Sequence, residues 1–160
     1  MSINSKFFLA LGFITLISGC SKDEAILEED MIEQMLLTVN NLRKSGCKCG
    51  ESYMPPAPAL SWNTLLEQTA AQHAQNMVEK GFFSHISPEG TSPIQRAQQA
   101  GYKGEYVGEN IGKGYARIDQ VMEAWKNSES HCKAMMDTLY TEMGAASYNK
   151  YWVQNFGRTK

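Results

Sequence analysis

Two histidines and one glutamate, carried by three separate segments of the chain, have the residue types of a functional site. His85 lies in "FFSHISPEGTS", Glu109 in "EYVGENIGKGY" and His131 in "SESHCK". Imidazole nitrogen and carboxylate oxygen are both ligands of Zn²⁺, whose fourth position can be left to water. The trio is therefore a candidate divalent-metal site, with zinc as the expected ion. It is also compatible with a hydrogen-bonded polar cluster or with three unrelated surface residues, because no local motif such as H-E-x-x-H is present.

Three other common functions are not supported by the sequence. A phosphate-binding loop needs a glycine where Val107 stands and a hydroxyl where Gly114 stands, and the dinucleotide pattern fails at Arg117. A Cys132–His131 nucleophile is not favoured, because neighbours in sequence often point apart and a disulfide would consume the thiol. Nucleic acid is not expected as a partner, because the formal net charge is −2 and the chain has no basic stripe.

The cysteine count predicts one disulfide and one free thiol. Beyond Cys20 the chain contains Cys47, Cys49 and Cys132, an odd number. A bond between Cys47 and Cys49 would close a small, strained ring. Either of these two could instead bond Cys132, and the spacing alone does not choose between them.

The first twenty residues have the pattern of an export signal. Lys6 precedes a short apolar run from Phe7 to Ile17, and the small residues Ser18 and Gly19 follow before Cys20. This ending is similar to a bacterial lipobox, in which Cys20 becomes the lipidated first residue of the mature protein. A cleaved signal with a chance cysteine is the alternative. Lipidation would anchor the protein to a membrane without a spanning segment, because each buried CH₂ contributes about 0.8 kcal/mol.

These patterns divide the chain into a lipoprotein signal peptide over 1–19, a polar tether over 20–30 and one domain over 31–160. We therefore expect the domain to lie outside the cytoplasm, in the cell envelope. Ser21 follows the lipidated cysteine and is not aspartate, which would suit the outer membrane in a two-membrane cell.

Hydrophobic periodicity predicts mainly helices in the first three quarters of the domain. One runs from the tether to Gly46, one from an N-cap at Ser61 to Gly81, a short one from Pro93 to Gly101, one begins at Asp119, and one carries "SHCKAMMD". His73 falls on the apolar face of the second helix, which is typical of a packed, hydrogen-bonded core residue.

Strands are predicted only near the end of the chain. Residues 46–59 and 104–114 look irregular, whereas "EMGAASYNKYWVQNFG" has two apolar runs around Asn149-Lys150, typical of a β-hairpin. Helices followed by late strands, without β-α-β alternation, indicate an α+β fold with helices on both sides of a small sheet.

Five segments in this order resemble the CAP family, which is named for cysteine-rich secretory proteins, antigen 5 and pathogenesis-related proteins. They are "LSWNTLLEQTAAQHAQNM", "FFSHISPEGTSPIQRAQQAGY", "GENIGKGY", "VMEAWKNSESHCKAMM" and "EMGAASYNKYWVQNFG". The resemblance covers residues 31–157 and looks closest to the short bacterial branch of the family.

The resemblance implies a three-layer α-β-α sandwich with a central cleft lined by His85, Glu109 and His131. It also favours a Cys49–Cys132 bond, which would leave Cys47 free. Many animal members have a second cleft glutamate where this chain has Ser128. Glu129 and Glu142 are the nearest acidic residues that could replace it.

The family resemblance leaves three functions open. The first is a binding module whose cleft holds a divalent metal, with an unknown small-molecule, lipid or envelope ligand. The second is an interaction scaffold in which the trio is only a polar cluster. The third is a metal-assisted hydrolase with Glu109 as general base. A fold by itself does not decide among them.

Overall fold

A computed structural model describes residues 22–159; the predicted signal peptide over 1–19 and the predicted lipidation site Cys20 lie outside this range. Within it the helices are α1 Lys22–Ser45, α2 Thr64–Glu79, α3 Pro93–Gln99, α4 Ile118–Asn127 and α5 Glu129–Met136. The strands are β1 Cys47–Cys49, β2 Ser52–Met54, β3 Ser61–Trp62, β4 Tyr106–Lys113, β5 Glu142–Tyr148 and β6 Tyr151–Arg158. Residues 22–30, assigned above to the tether, are helical backbone in α1. No helix in the described part of the chain is both long and apolar enough to cross a membrane.

The central sheet of the described residues has four strands in the order β3-β5-β6-β4. β3 runs parallel to β5, and the other pairs are antiparallel. β5 and β6 form the predicted hairpin, in which Tyr148 pairs with Tyr151. Asn149 and Lys150 have φ of 46° and 65°, as a two-residue turn with both central residues left-handed requires.

Each face of the sheet carries its own apolar core. On one face, Ala74 and Met77 of α2 pack with Ile111 and Val153. On the other face, residues of α1, α4 and α5 pack with Met143, Trp152 and Phe156 of the hairpin. Because neighbouring residues of a strand point to opposite faces, β6 contributes Val153 to the first core and Trp152 and Phe156 to the second. The result is an α+β fold of three layers, α-β-α, as predicted.

Two predictions of irregular structure were wrong. Residues 46–59 contain the small hairpin β1–β2, and residues 104–114 contain β4, which pairs along its whole length with β6. The glycines that suggested a loop allow close packing within a strand. A Cβ at Gly108 would collide with the Tyr140 ring, and one at Gly112 would lie 2.8 Å from Val121.

The start of α2 also differs from the prediction. Ser61 is not its N-cap, because Ser61 belongs to β3 and its N–H donates to the carbonyl of Thr141. Asn63 caps the helix instead, and its Oδ1 accepts from the N–H groups of Leu65 and Leu66 at 3.0 and 3.2 Å. Serine and asparagine are both good caps, and strand pairing decides between the two positions.

The Cys49–Cys132 disulfide is confirmed, and Cys47 carries the free thiol. The bond joins the β1–β2 hairpin to α5 across a sequence separation of 83 residues, with a Cα–Cα distance of 5.4 Å.

Candidate functional site

Glu109 is the buried centre of the candidate site. It lies on β4, opposite Asn155 of β6, and its side chain is only 1% exposed. It belongs to the same strand face as Ile111, so it points into the layer between the sheet and α2. A buried carboxylate is costly unless it is paired and hydrogen-bonded, and both oxygens of Glu109 have partners.

His85 contacts Glu109 directly, as the sequence analysis expects. The two atoms His85 Nδ1 and Glu109 Oε1 are 2.8 Å apart. His85 is carried by the loop between α2 and α3, and its side chain is 48% exposed. One nitrogen of an accessible imidazole is therefore held by a carboxylate that solvent barely reaches.

Arg96 of α3 holds both the carboxylate and the loop. Its Nη2 donates to Glu109 Oε2 at 2.6 Å, and its Nη1 donates to the carbonyls of His85 and Thr91, both at 2.9 Å. No role for this arginine was predicted from the sequence, although it lies in a segment that resembles the family. The sequence did contain one indication of this role: Arg96 lies four residues after the N-cap Ser92, on a short helix that is close in sequence to Glu109.

His73 is the packed core residue that the sequence predicts, but it also borders the site. It is fully buried, and its Nε2 lies 3.0 Å from the carbonyl of Ser84 and 3.9 Å from Glu109 Oε1. Burial lowers the pKa of His73; the charge of Glu109 opposes this shift and that of Arg96 adds to it. His73 therefore favours the neutral form and forms part of the wall behind Glu109.

His131 lies on α5 and has a separate partner. Its Nδ1 is 2.8 Å from Ser128 Oγ, and its carbonyl accepts from Asn110 Nδ2 at 3.2 Å. Burial lowers the pKa of His131, and the charge of His85 lowers it further. The ring lines a cleft of about 270 Å³ whose apolar walls include Phe83 and Trp125.

Ser128 is the position where the family resemblance places a second glutamate in many animal members, and here its hydroxyl contacts His131 Nδ1. Neither acidic alternative is bonded into the site: Glu129 accepts from Lys133 at 2.6 Å, and Glu142 accepts from Asn63 and Tyr102 at 3.2 and 2.7 Å.

The three predicted site residues do not form a compact set of three ligand atoms. Among the described residues, one group of three potential metal ligands has all its ligand atoms within 4.8 Å of one another. That group is Cys47, Cys49 and Cys132. The structure instead brings His85 to Glu109 and His131 to Ser128 through Nδ1 in both rings. Each imidazole can therefore offer its Nε2 to a ligand while its Nδ1 fixes its orientation.

These elements form an α-β-α sandwich, and the comparisons with known proteins agree with this fold. The model of the CAP family, described as the cysteine-rich secretory protein family, matches residues 36–156. This chain belongs to the CAP family.

Two curated relatives come from Bacillus subtilis strain 168. The uncharacterized membrane protein YlbC is 34% identical over 97 residues, which are 61% of this chain and 28% of that protein. The uncharacterized protein YkwD is 33% identical over 99 residues, 61% of this chain and 38% of that protein. The match thus spans well under half the length of either relative.

Solved structures share the fold. An extracellular protein with an SCP domain from Bacillus anthracis has a TM-score of 0.75 and 25% identity, over 89% of this chain and 45% of that chain. An outer surface protein from Borrelia burgdorferi has a TM-score of 0.70 and 25% identity, over 83% of this chain and 95% of that chain.

Proposed function

We propose that this protein is an exported CAP-domain binding module whose cleft holds a divalent metal ion, with zinc as the expected ion. His85 and His131 would ligate the metal. Glu109, included above as a third ligand, would act from behind His85, because its two oxygens are already bonded to His85 and Arg96. The observation that carries the proposal is this buried carboxylate bonded to Nδ1 of an accessible histidine.

The donor set supports zinc on chemical grounds. Metal-ligating histidines commonly donate their second ring N–H to a carboxylate, carbonyl or other acceptor, which fixes the tautomer and raises ligand basicity. Glu109 is placed to be such an acceptor for Nδ1 of His85. The Ser128 hydroxyl contacts Nδ1 of His131 in the same way. A bound metal would supply a Lewis acid at the cleft, with its remaining positions open to water or to a ligand.

The cleft beside His131 supports a small ligand with an apolar part. Its volume is about 270 Å³, and its walls include Phe83, Tyr115 and Trp125 next to Ser128 and His131. Binding sites typically combine mostly apolar walls with a few polar groups that fix orientation. A small molecule, or one end of a lipid or envelope component, would meet these conditions.

Export and lipid anchoring are part of the same proposal. The Cys49–Cys132 disulfide supports an oxidising compartment outside the cytoplasm. The solved relatives are called an extracellular protein and an outer surface protein, which is consistent with this location. Two experiments test the anchor. Replacement Cys20→Ser should release the protein from the membrane fraction. Mass spectrometry of the wild-type N-terminus should find acyl chains on Cys20.

Calorimetric titration with zinc tests the site. We expect His85→Ala and His131→Ala each to weaken zinc binding at least about tenfold, because each removes one ligand. Ile86→Ala and Ser130→Ala, at exposed positions beside the two histidines, should bind as wild type does. Affinity should also fall in acid, because the ligands must be neutral imidazoles; burial lowers the pKa of His131 and so keeps that ring neutral to lower pH.

Equal zinc affinity in wild type and in both histidine variants would exclude this site. A wild-type protein that does not bind zinc, but loses its cellular function when the three side chains are replaced, would favour the interaction scaffold instead.

A further inference from the structure

Three cysteine sulfurs form a cluster that the proposed metal cleft does not use. Cys49 and Cys132 are bonded to each other, and the free thiol Sγ of Cys47 lies 3.8 Å from Cys49 Sγ and 3.7 Å from Cys132 Sγ. The free sulfur is therefore in contact with both atoms of the disulfide.

The backbone explains this placement. Cys47 and Cys49 are two positions apart on β1, so their side chains lie on the same face of the strand. Pairing of β1 with β2 holds that face, with Cys47 opposite Met54 and Cys49 opposite Ser52. α5 packs against it and carries Cys132.

We propose that Cys47, Cys49 and Cys132 form a thiol–disulfide exchange site in which Cys47 is the attacking thiol and the bond moves from Cys49–Cys132 to Cys47–Cys132. The Cys47 thiol lies beside the bond, at 3.8 and 3.7 Å from its two sulfurs. It loses its proton, its side chain rotates to bring Sγ into line with the Cys49–Cys132 bond, and the thiolate attacks Cys132 Sγ. The new bond forms as the Cys49–Cys132 bond breaks, and Cys49 leaves as a thiolate that takes up a proton. One disulfide and one thiol are present before and after, so the step needs no oxidant or reductant.

Attack on Cys132 is favoured over attack on Cys49. A Cys47–Cys49 bond would join residues i and i+2 of an extended strand, whose Cα atoms are separated by about 6.6 Å at 3.3 Å per residue. That separation is close to the upper limit for a disulfide, about 6.8 Å, and the ring would be small. Cys132 approaches from another element, so its bond to either strand cysteine closes a large loop.

Exposure gives the two bonded forms different reactivity. Cys47 is half-buried, whereas Cys49 and Cys132 are fully buried. When Cys49 and Cys132 are bonded, the free thiol is that of Cys47, which reaches solvent. When Cys47 and Cys132 are bonded, the free thiol is that of Cys49, which does not.

Burial raises the pKa of the Cys47 thiol, and the Lys126 ammonium opposes this shift. The thiol is therefore mostly protonated at neutral pH, which keeps exchange slow there. Two of the three sulfurs are bonded to each other and so are not thiolate ligands, which argues against a metal site at this cluster.

Trypsin can distinguish the two bonded forms, because Lys48 separates the two strand cysteines. Cleavage places Cys47 in residues 45–48, Cys49 in 49–80 and Cys132 in 127–133. The full-length wild-type chain is incubated at about pH 8.5, where thiolate forms. The chain is then unfolded in denaturant at mildly acidic pH, where little thiolate forms and exchange is slow, with N-ethylmaleimide present to block the free thiol whether it is exposed or buried in the folded chain. The monomer is digested without reduction and analysed by mass spectrometry.

We expect wild type to yield 45–48 linked to 127–133 in addition to 49–80 linked to 127–133, with N-ethylmaleimide on Cys49 in the new form. The new pair should be lost completely in the matched control Cys47→Ser, which retains the original bond. In Cys49→Ser incubated with glutathione disulfide, Cys47 should bond Cys132 in the folded chain, so that both thiols are consumed and two molecules of reduced glutathione are released.

Absence of the 45–48 pair from incubated wild type overturns the proposal, whatever the Cys49→Ser variant does. If Cys49→Ser does not fold, the comparison of wild type with Cys47→Ser decides alone. None of these measurements depends on the presence of metal.

Discussion

Arg96 of α3 and Glu109 of β4 form a buried ion pair, with Arg96 Nη2 and Glu109 Oε2 2.6 Å apart. Their side chains are 8% and 1% exposed, so water screens the pair very little. The other carboxylate oxygen contacts His85. Because Arg96 also holds the His85 carbonyl, one guanidinium fixes both the carboxylate and the loop that carries the histidine.

Replacement of Arg96 should therefore be strongly destabilising. In Arg96→Met, Glu109 would remain buried without its cation, and we expect the free energy of unfolding in urea to fall by about 3–5 kcal/mol. The double variant Arg96→Met/Glu109→Leu should lose less than the sum of the single variants, since no unpaired charge remains. Arg117→Ala, which breaks an exposed pair with Asp119, is the control and should leave the unfolding midpoint unchanged. Additive losses in the double variant would contradict the coupling.

Ser128→Ala should weaken zinc binding if the hydroxyl orients His131. Removing an outer-shell partner of a ligating histidine typically costs about 10–100-fold in metal affinity. Ser130→Ala is the matched control, because Ser130 is an exposed residue of the same helix and should not change the affinity. Calorimetry at neutral pH measures both variants. Unchanged affinity in Ser128→Ala would show that the hydroxyl does not support the metal.

Stability should fall in mild acid because of His73 and His131. Burial lowers the pKa of both imidazoles in the folded protein, whereas in the unfolded chain they titrate near about 6.5. Below that pH the unfolded state binds more protons, so the free energy of unfolding decreases by up to about 1.4 kcal/mol per pH unit for each histidine. The contribution is fully present above the unfolded pKa and is lost as the pH falls toward the folded pKa.

Urea unfolding at about pH 7.5 and about pH 5 tests this dependence. In His73→Gln and in His131→Asn, the free energy of unfolding should decrease less from the higher to the lower pH than it does in wild type. Ser130→Ala should show the wild-type loss. If both histidine variants lose as much stability as wild type does, the acid sensitivity has another source.

Arg43→Met should destabilise the packing of α1 against the end of α5. The fully buried guanidinium donates to four backbone carbonyls, those of Pro58, Met135, Asp137 and Tyr140, at 2.6, 2.9, 2.9 and 3.2 Å. Unsatisfied buried acceptors cost about 1–3 kcal/mol each, so a loss of at least about 3 kcal/mol is expected in urea unfolding. Lys44→Met, at the exposed neighbouring position, is the control. If Arg43→Met and Lys44→Met lose similar amounts of free energy of unfolding, the contacts of Arg43 with the four carbonyls are not the cause of the destabilisation.

Several elements were predictable because their causes are local. Ser92 and Pro93 mark the start of α3, and Gly81 follows the end of α2 with a φ of 68°. The apolar runs on either side of Asn149-Lys150 form the hairpin. Each of these signals depends on the backbone preference of one or two residues, which the amino-acid type carries with it.

Other features depended on contacts between distant segments. The glycines of β4 suggest a loop until the packing of Tyr140 and Val121 against them is known. The choice of Asn63 over Ser61 as N-cap depends on the pairing of β3 with β5. Arg96 could not be assigned from its neighbours, because its acceptor Glu109 lies on another element.

The amino-acid sequence by itself determined the α+β class, the positions of most helices, the closing hairpin and the family resemblance, from which the sharing of one cleft by His85, Glu109 and His131 is a prediction. Only the tertiary structure decided that Glu109 bonds His85 and Arg96, that His131 bonds Ser128, and that Cys47 touches the disulfide. Helix and turn preferences act over a few residues, whereas side-chain partners are chosen by the packing of elements that are far apart in the chain.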